Sequence, residues 1–209
     1  MRIIFVLFLA VFVFAKTEAN IISVYKDRVL MNKNVKIGVS GVVICKYLNE
    51  DIICARAVAD GNKAYLYPYS ELKNRAFALP VVFPKKDDKI VFAKDYNRIM
   101  IFAPNQEVYL KVKNIYKSNV IISPDVFAAF LDDKVTKEDF INFSKSMDIG
   151  RYIFVIGNKI YEADAKSLHV INEKNLNINA KYQKAFFTYF KNFDIKPVNY
   201  LHLLKGLKW

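Results

Sequence analysis

The stretch VSGVVICKY, Val39 to Tyr47, the turn residues Asn49, Glu50 and Asp51, and the run IICARAV, Ile52 to Val58, decide how the first half of this chain reads. Both runs are rich in β-branched and other apolar side chains, and the polar residues between them favour a turn, which is the pattern of an antiparallel hairpin. The only two cysteines, Cys45 and Cys54, fall one in each run. With Asn49 and Glu50 at the centre of the turn they face each other in a non-hydrogen-bonded pair. There Cα atoms lie about 4.5 Å apart, within the range of a disulfide. The spacing is not Cys-x-x-Cys, so the bridge would staple the hairpin rather than do redox work. A free, buried thiol pair is the other reading.

Working outward, Ile22 and Val24, the turn at Lys26 and Asp27, and Val29 to Met31 read as another pair of strands. Asp60-Gly61-Asn62 predicts a further turn, into Ala64 to Tyr67. Ser70 to Asn74 reads as one helical turn, and Pro80 and Pro84 bracket an extended Val81 to Phe83. Ile90 to Phe92, Arg98 to Phe102 and Val108 to Val112 complete the series as strands, with a turn at Pro104-Asn105. Residues 16–122 are therefore expected to form an antiparallel β module, a small barrel or sandwich.

The pattern changes after Ile122. Ser123-Pro124-Asp125 supplies a cap, a proline at the first helical position and an acid in the first turn of a helix running to Leu131. Thr136 and Asp139 form a capping box ahead of a second helix, with Phe140, Phe143 and Met147 on one face and Gly150 as its stop. Tyr152 to Ile156 and Lys159 to Ala163, parted by Gly157-Asn158, read as a hairpin. Tyr182, Ala185, Phe186, Tyr189, Phe190 and Phe193 recur at helical spacing and predict a third helix, Ala180 to Lys191, capped by Asn179. Pro197 to Leu204, ended by Gly206, predicts a last short one. The fold class is α+β: the β module, then a mixed helix and hairpin region over 123–209 with basic, aromatic C-terminal helices, packed on the module or continuous with it.

Ahead of all this, Arg2, an apolar run from Ile3 to Phe14 and Val13-Phe14-Ala15 have the layout of a secretory signal peptide over residues 1–15. Twelve apolar residues are fewer than the ~20 a spanning helix needs, so no membrane span is expected after cleavage. An uncleaved anchor and a buried first strand are the alternatives. Removal of fifteen of the 209 residues takes away only Arg2 among the charges, leaving 31 Lys+Arg against 20 Asp+Glu. An exported chain does not meet cytosolic nucleic acid, and a basic one is drawn to anionic envelope surfaces or acidic proteins. Most charges alternate in sign. Lys166 to Trp209 stands apart, with eight lysines against two acids.

Chemistry-bearing patterns are missing. His169 and His202 stand alone, without metal-ligand spacing; Ser40, between Gly38 and Gly41, is not in a nucleophile-elbow sequence; and the six glycines form no phosphate loop. The chain reads as a non-enzyme with no cofactor and no metal.

Thr17 to Ile22, and more specifically Pro84 to Phe92 running into Tyr96-Asn97-Arg98 and Ala103-Pro104-Asn105-Gln106, resemble the N-terminal domain of bacterial plasminogen-binding surface proteins. The resemblance covers most of the chain after residue 15. It implies an envelope protein that captures a host zymogen through kringle domains, which favour a lysine carrying its own carboxylate. The chain departs from that pattern, because Lys208 is followed by Trp209. Lys205 and Lys208 are the candidate contacts of a protein-binding reading, with plasminogen as the partner. A second reading is a structural subunit, in homo- or hetero-oligomers, of a periplasmic or outer-membrane assembly such as an accessory disc of the flagellar motor. It is motivated by the 15% aromatic content. A third, a hydrolase with a dispersed site, would need a cleft with perturbed acids. The location is the periplasm or the cell surface.

Overall fold

The computed structural model describes residues 16–69, 82–132, 135–176, 185–190, 193–196 and 198–207. Alternation builds its first part. In β1 (Thr17–Val24), Ala19 and Ile21 point inward between exposed neighbours, and the chain turns at residues 25–27 into β2 (Arg28–Val35), which buries Val29 and Met31. β3 (Ser40–Tyr47), β4 (Glu50–Pro68) and β5 (Lys89–Phe92) follow. All pairings among the five are antiparallel, and they close a barrel in the order β1-β2-β4-β3-β5 and back to β1. The inside is small: Val43, Ala57, Ala59 and Ala64 surround Ile90 and Phe92. A five-stranded barrel leaves room for little else.

The hairpin register differs from the expected one. Leu48 and Asn49 both take positive φ, 47° and 69°, and form a two-residue turn that pairs Tyr47 with Glu50 and Cys45 with Ile52. Turns with both central residues left-handed match strand twist best, and Asn accepts that conformation readily, so the chain reverses one residue early. A bulge between Val43 and Ile44 then makes Cys54 the extra residue of β4, and the disulfide Cys45–Cys54 closes there with Cα atoms 5.8 Å apart. Asp60-Gly61-Asn62 is not a turn either. Gly61 takes φ 71°, the strand continues, and β4 leaves β3 to pair with β2.

The second sheet has the order β10-β9-β8-β6-β7. β6 (Arg98–Phe102) lies between two parallel neighbours, β7 (Val120–Ile122) and β8 (Arg151–Ile156); β9 (Lys159–Asp164) and β10 (Val170–Asn175) continue antiparallel. The parallel crossovers carry helices. α1 (Gln106–Ile115) occupies the residues expected to be a strand. Val108, Leu110 and Val112 alternate as a strand would. The Asn105 side chain, however, accepts the Val108 N–H at 3.0 Å, and Val108, Tyr109 and Val112 bury one helical face while Leu110 is exposed. α2 (Pro124–Phe130) starts at the Ser123 cap, and α3 (Lys137–Ser146) at the Thr136–Asp139 capping box. The left-handed residue after α3 is Asp148, φ 51°, rather than Gly150.

β6 and β8 are covered on both faces and, after an arginine at the start of each, are built of apolar and aromatic residues, as buried parallel strands are. Phe102 is the hub of one face: its ring meets those of Phe127, Phe140, Tyr152, Phe154, Phe186 and Tyr200 at 5.0–6.0 Å. Ile99, Ile101, Ile153 and Val155 pack the other face against α1.

The expected Ala180–Lys191 helix does not hold where it is described. Residues 185–190 are irregular, with Ala185 and Phe186 buried and Tyr189 and Phe190 exposed. Tertiary bonds direct their backbone, since the Phe187 N–H reaches the Ala103 carbonyl and the Phe190 N–H reaches Asp125. Asn179, Tyr182, Lys191 and the helical turn at Ser70 to Asn74 lie outside the described residues. The last helix is present as α4 (Tyr200–Leu203), capped by Asn199.

Candidate functional site

Lys205 follows α4 on a segment fixed by its neighbours. Leu204 is buried in the aromatic core, and the Tyr200 hydroxyl donates to the Ala185 carbonyl at 2.6 Å. The Lys205 N–H donates to the Leu168 carbonyl and its own carbonyl accepts the Val170 N–H, both at 2.8 Å. Its backbone thus forms a parallel bridge beside His169, ahead of β10, and its side chain is exposed. His169 lies below its ordinary pKa, through burial first and the Lys205 charge second. Lys208 lies outside the described residues, so the two candidate lysines cannot be placed together.

No local motif marks the polar junction between barrel and sheet. Asp164, fully buried at the end of β9, accepts five hydrogen bonds: from the Ser40 N–H and Oγ, the Tyr96 hydroxyl, and the N–H groups of Lys166 and Ser167. Ser40 joins β3 of the barrel to this carboxylate. Two residues earlier on the same strand face, Glu162 pairs with Arg151 at 2.7 Å and Lys174 at 2.8 Å and accepts from Tyr116 and Asn172. Burial pushes the Glu162 carboxyl up; Lys174, Arg151 and Tyr116 outweigh it and hold the group below the usual carboxylate range. Tyr116 goes the other way, pushed far up by burial and by Glu162. The signal in the sequence was the parity. Ile160, Glu162 and Asp164 alternate on one face of β9, where the two acids occupy core positions.

Two cations are buried nearby. The Lys166 ammonium, 5% exposed, donates to the Ser144 and Ile149 carbonyls and lies 3.7 Å from Asp95. Arg56, 9% exposed, sits 5.7 Å from the Tyr69 ring centre. Between them is a recess of about 10 Å³, lined also by Ser40, Lys94 and Gly150. That is room for about one water-sized group. At Gly150 a Cβ would come within 2.2 Å of the Asp95 carbonyl, so only glycine lets the strand close this wall. The recess shares Val42 and Lys94 with a groove of about 590 Å³ along the outer barrel wall.

The family model for the N-terminal region of the plasminogen-binding protein pgbA matches residues 16–203. The chain belongs to that family. The matched span of this pgbA N-terminal domain runs from β1 to the end of α4, through barrel, junction and second sheet alike, and stops two residues before Lys205. No curated protein and no solved structure matches the chain. Among the described residues no helix is long and apolar enough to cross a membrane.

Proposed function

We propose that this protein is exported to the cell envelope and acts there by binding a protein partner, with plasminogen as that partner, and without catalysis. The family match over residues 16–203 carries the reading. The Cys45–Cys54 disulfide suits an oxidising compartment, in agreement with the leader-like residues 1–15. The family is described by binding and not as an assembly subunit, which favours partner capture over the motor-disc reading. Lys205 is a suitable contact because its ammonium is exposed while its backbone is held at both N–H and carbonyl, so little backbone order is lost on binding. Lys208 adds a second cation three residues on.

Plasminogen passed over the immobilised protein should bind and be released by 6-aminohexanoic acid, and Lys205→Ala with Lys208→Ala should weaken it about tenfold, the loss of one good charged contact. Binding indifferent to the lysine analogue rejects lysine-dependent capture. Binding that is competed but unchanged in the double variant moves the site away from these two lysines. An epitope tag labelled on intact cells places the protein where a host zymogen can meet it; labelling only after outer-membrane permeabilisation rejects that partner.

A further inference from the structure

The outer wall of the barrel carries tyrosines that its packing does not use. Along β4, Lys63, Tyr65 and Tyr67 face outward, alternating with buried Ala64 and half-buried Leu66. Arg28 of β2 pairs with Tyr65, and Leu30 with Lys63. The Tyr25 N–H donates to the Arg28 carbonyl at 2.8 Å, which carries the β1–β2 register on to Tyr25 opposite Arg28. Directly opposed residues of antiparallel strands share a face. Tyr25, Arg28 and Tyr65 therefore stand in one row across three strands about 4.8 Å apart, and Tyr65 and Tyr67 follow each other at about 7 Å along β4. The three tyrosines are 57%, 38% and 50% exposed. Among the described residues none of their rings meets another ring and none of their hydroxyls has a partner.

The charge around these rings is nearly of one sign. Lys26, Arg28 and Lys63 are all exposed, and the only acid in residues 22–30 and 61–68 is Asp27. Asp27 lies 3.9 Å from Arg28, while Lys26 and Lys63 have no carboxylate partner among the described residues. Lys26 sits at the Tyr67 end of the face, where the Leu66 N–H reaches the Asp27 carbonyl, and Lys63 sits at the other end of the tyrosine row. Open rings between unpaired cations suit a ligand that presents apolar ring faces and negative charge together. A bilayer is met by inserted Trp, Phe and Leu, whereas the outward aromatics of this face are all tyrosines.

We propose that this face of the barrel binds an anionic polysaccharide. The C–H faces of successive sugar rings lie on Tyr65 and Tyr67, sugar and phenol hydroxyls bond to each other, and the acidic groups of the polymer make charge-assisted contacts with Lys26, Arg28 and Lys63. The repeat of rings along one strand matches a polymer of rings better than it matches a single apolar anchor. The inference does not rest on plasminogen capture or on Lys205, and its test contains no plasminogen.

The probes are a heparin octasaccharide, the neutral maltooctaose, and vesicles of phosphatidylcholine with phosphatidylglycerol, each titrated into the ¹⁵N-labelled chain. Heparin should shift the Arg28, Lys63 and Tyr65 amides, and maltooctaose should not. Tyr65→Ala with Tyr67→Ala leaves the net charge unchanged and should weaken heparin binding about tenfold; Tyr65→Phe with Tyr67→Phe keeps the rings and should retain it. Lys63→Gln should weaken it more than Lys113→Gln, which removes the same charge from exposed α1. Affinity unaltered in the alanine pair would show attraction by overall charge alone and overturn the proposal. Shifts centred on Lys205 instead of β4, or vesicles binding through these tyrosines while heparin does not, would overturn it as well.

Discussion

The barrel and the second sheet solve the same packing problem with different residues. Among the described residues the barrel interior buries mostly alanine, valine and isoleucine, with Met31, Phe92 and Tyr96 as its larger side chains. Across one face of the sheet it buries a continuous cluster of rings centred on Phe102. A closed wall of five strands fixes its own interior volume, so side chains there must be small. A sheet covered by helices can move those helices out to fit rings, each of which removes 150–250 Å² from water. Where the core is small, a covalent bridge is added: the Cys45–Cys54 disulfide is on the barrel, and the described part of the sheet has none. The lesson is that burial stabilises the sheet mainly through large side chains, and the barrel through closure and a cross-link.

That contrast can be broken most directly at Phe102. Phe102→Ala removes the hub of the ring cluster and should cost about 4 kcal/mol, read as a lower urea midpoint, with amide exchange accelerating in β6 and β8 before β3. Uniform acceleration through both parts would show that they share one cooperative core.

Next in size is Glu162→Gln, which leaves the Arg151 guanidinium buried without its carboxylate and should cost about 3 kcal/mol at neutral pH. The sign of the pH effect follows from the lowered pKa. The unfolded group titrates near 4.5 and the folded group below it, so the stabilisation is complete above about pH 4.5 and is lost as pH falls through the folded value. Melting temperatures of the native chain should drop across that acid window, and Glu162→Gln should flatten the drop. An identical acid profile in both proteins assigns the acid sensitivity to other carboxylates.

Smallest is the staple. Cys45→Ser closes no loop and should lose about 2.5 kcal/mol for a bridge across so few residues, with exchange rising in β3 and β4 and little change in the sheet. A melting temperature indifferent to reducing agent would remove the disulfide's part in the comparison.

Much of this was legible where local chemistry decides structure. The Ser123 and Thr136 caps, the Gly157-Asn158 hairpin and the cysteine pair announced themselves because each signal lies within a few residues. Long-range pairing was not legible. Asp60-Gly61-Asn62 carries the composition of a turn, yet β2 offers partners that keep the strand extended, and the ring cluster together with the Ala103 carbonyl overrides the helical spacing of residues 185–190. α1 failed for a different reason, since Val108, Leu110 and Val112 fit a strand's alternation while Val108, Tyr109 and Val112 fit one helical face, and only the Asn105 cap separates the two. Lys205 is a candidate named from charge imbalance alone. Arg56, Lys94 and Lys166 come together only through the contact of barrel and sheet, and no local window contains that.

The continuity of β4 through Gly61 makes the barrel a dimer written in one chain. The β1–β2 hairpin and β3 are joined on one side by a single strand that serves both, pairing with β3 along 50–58 and with β2 along 61–65, and on the other side by β5. A backbone cut at Gly61 would turn a folding step into an association between two pieces, sensitive to concentration as no intact barrel is. Residues 60–62 are therefore the place where a protease could change this protein from a unimolecular fold into a reversible assembly of its own fragments.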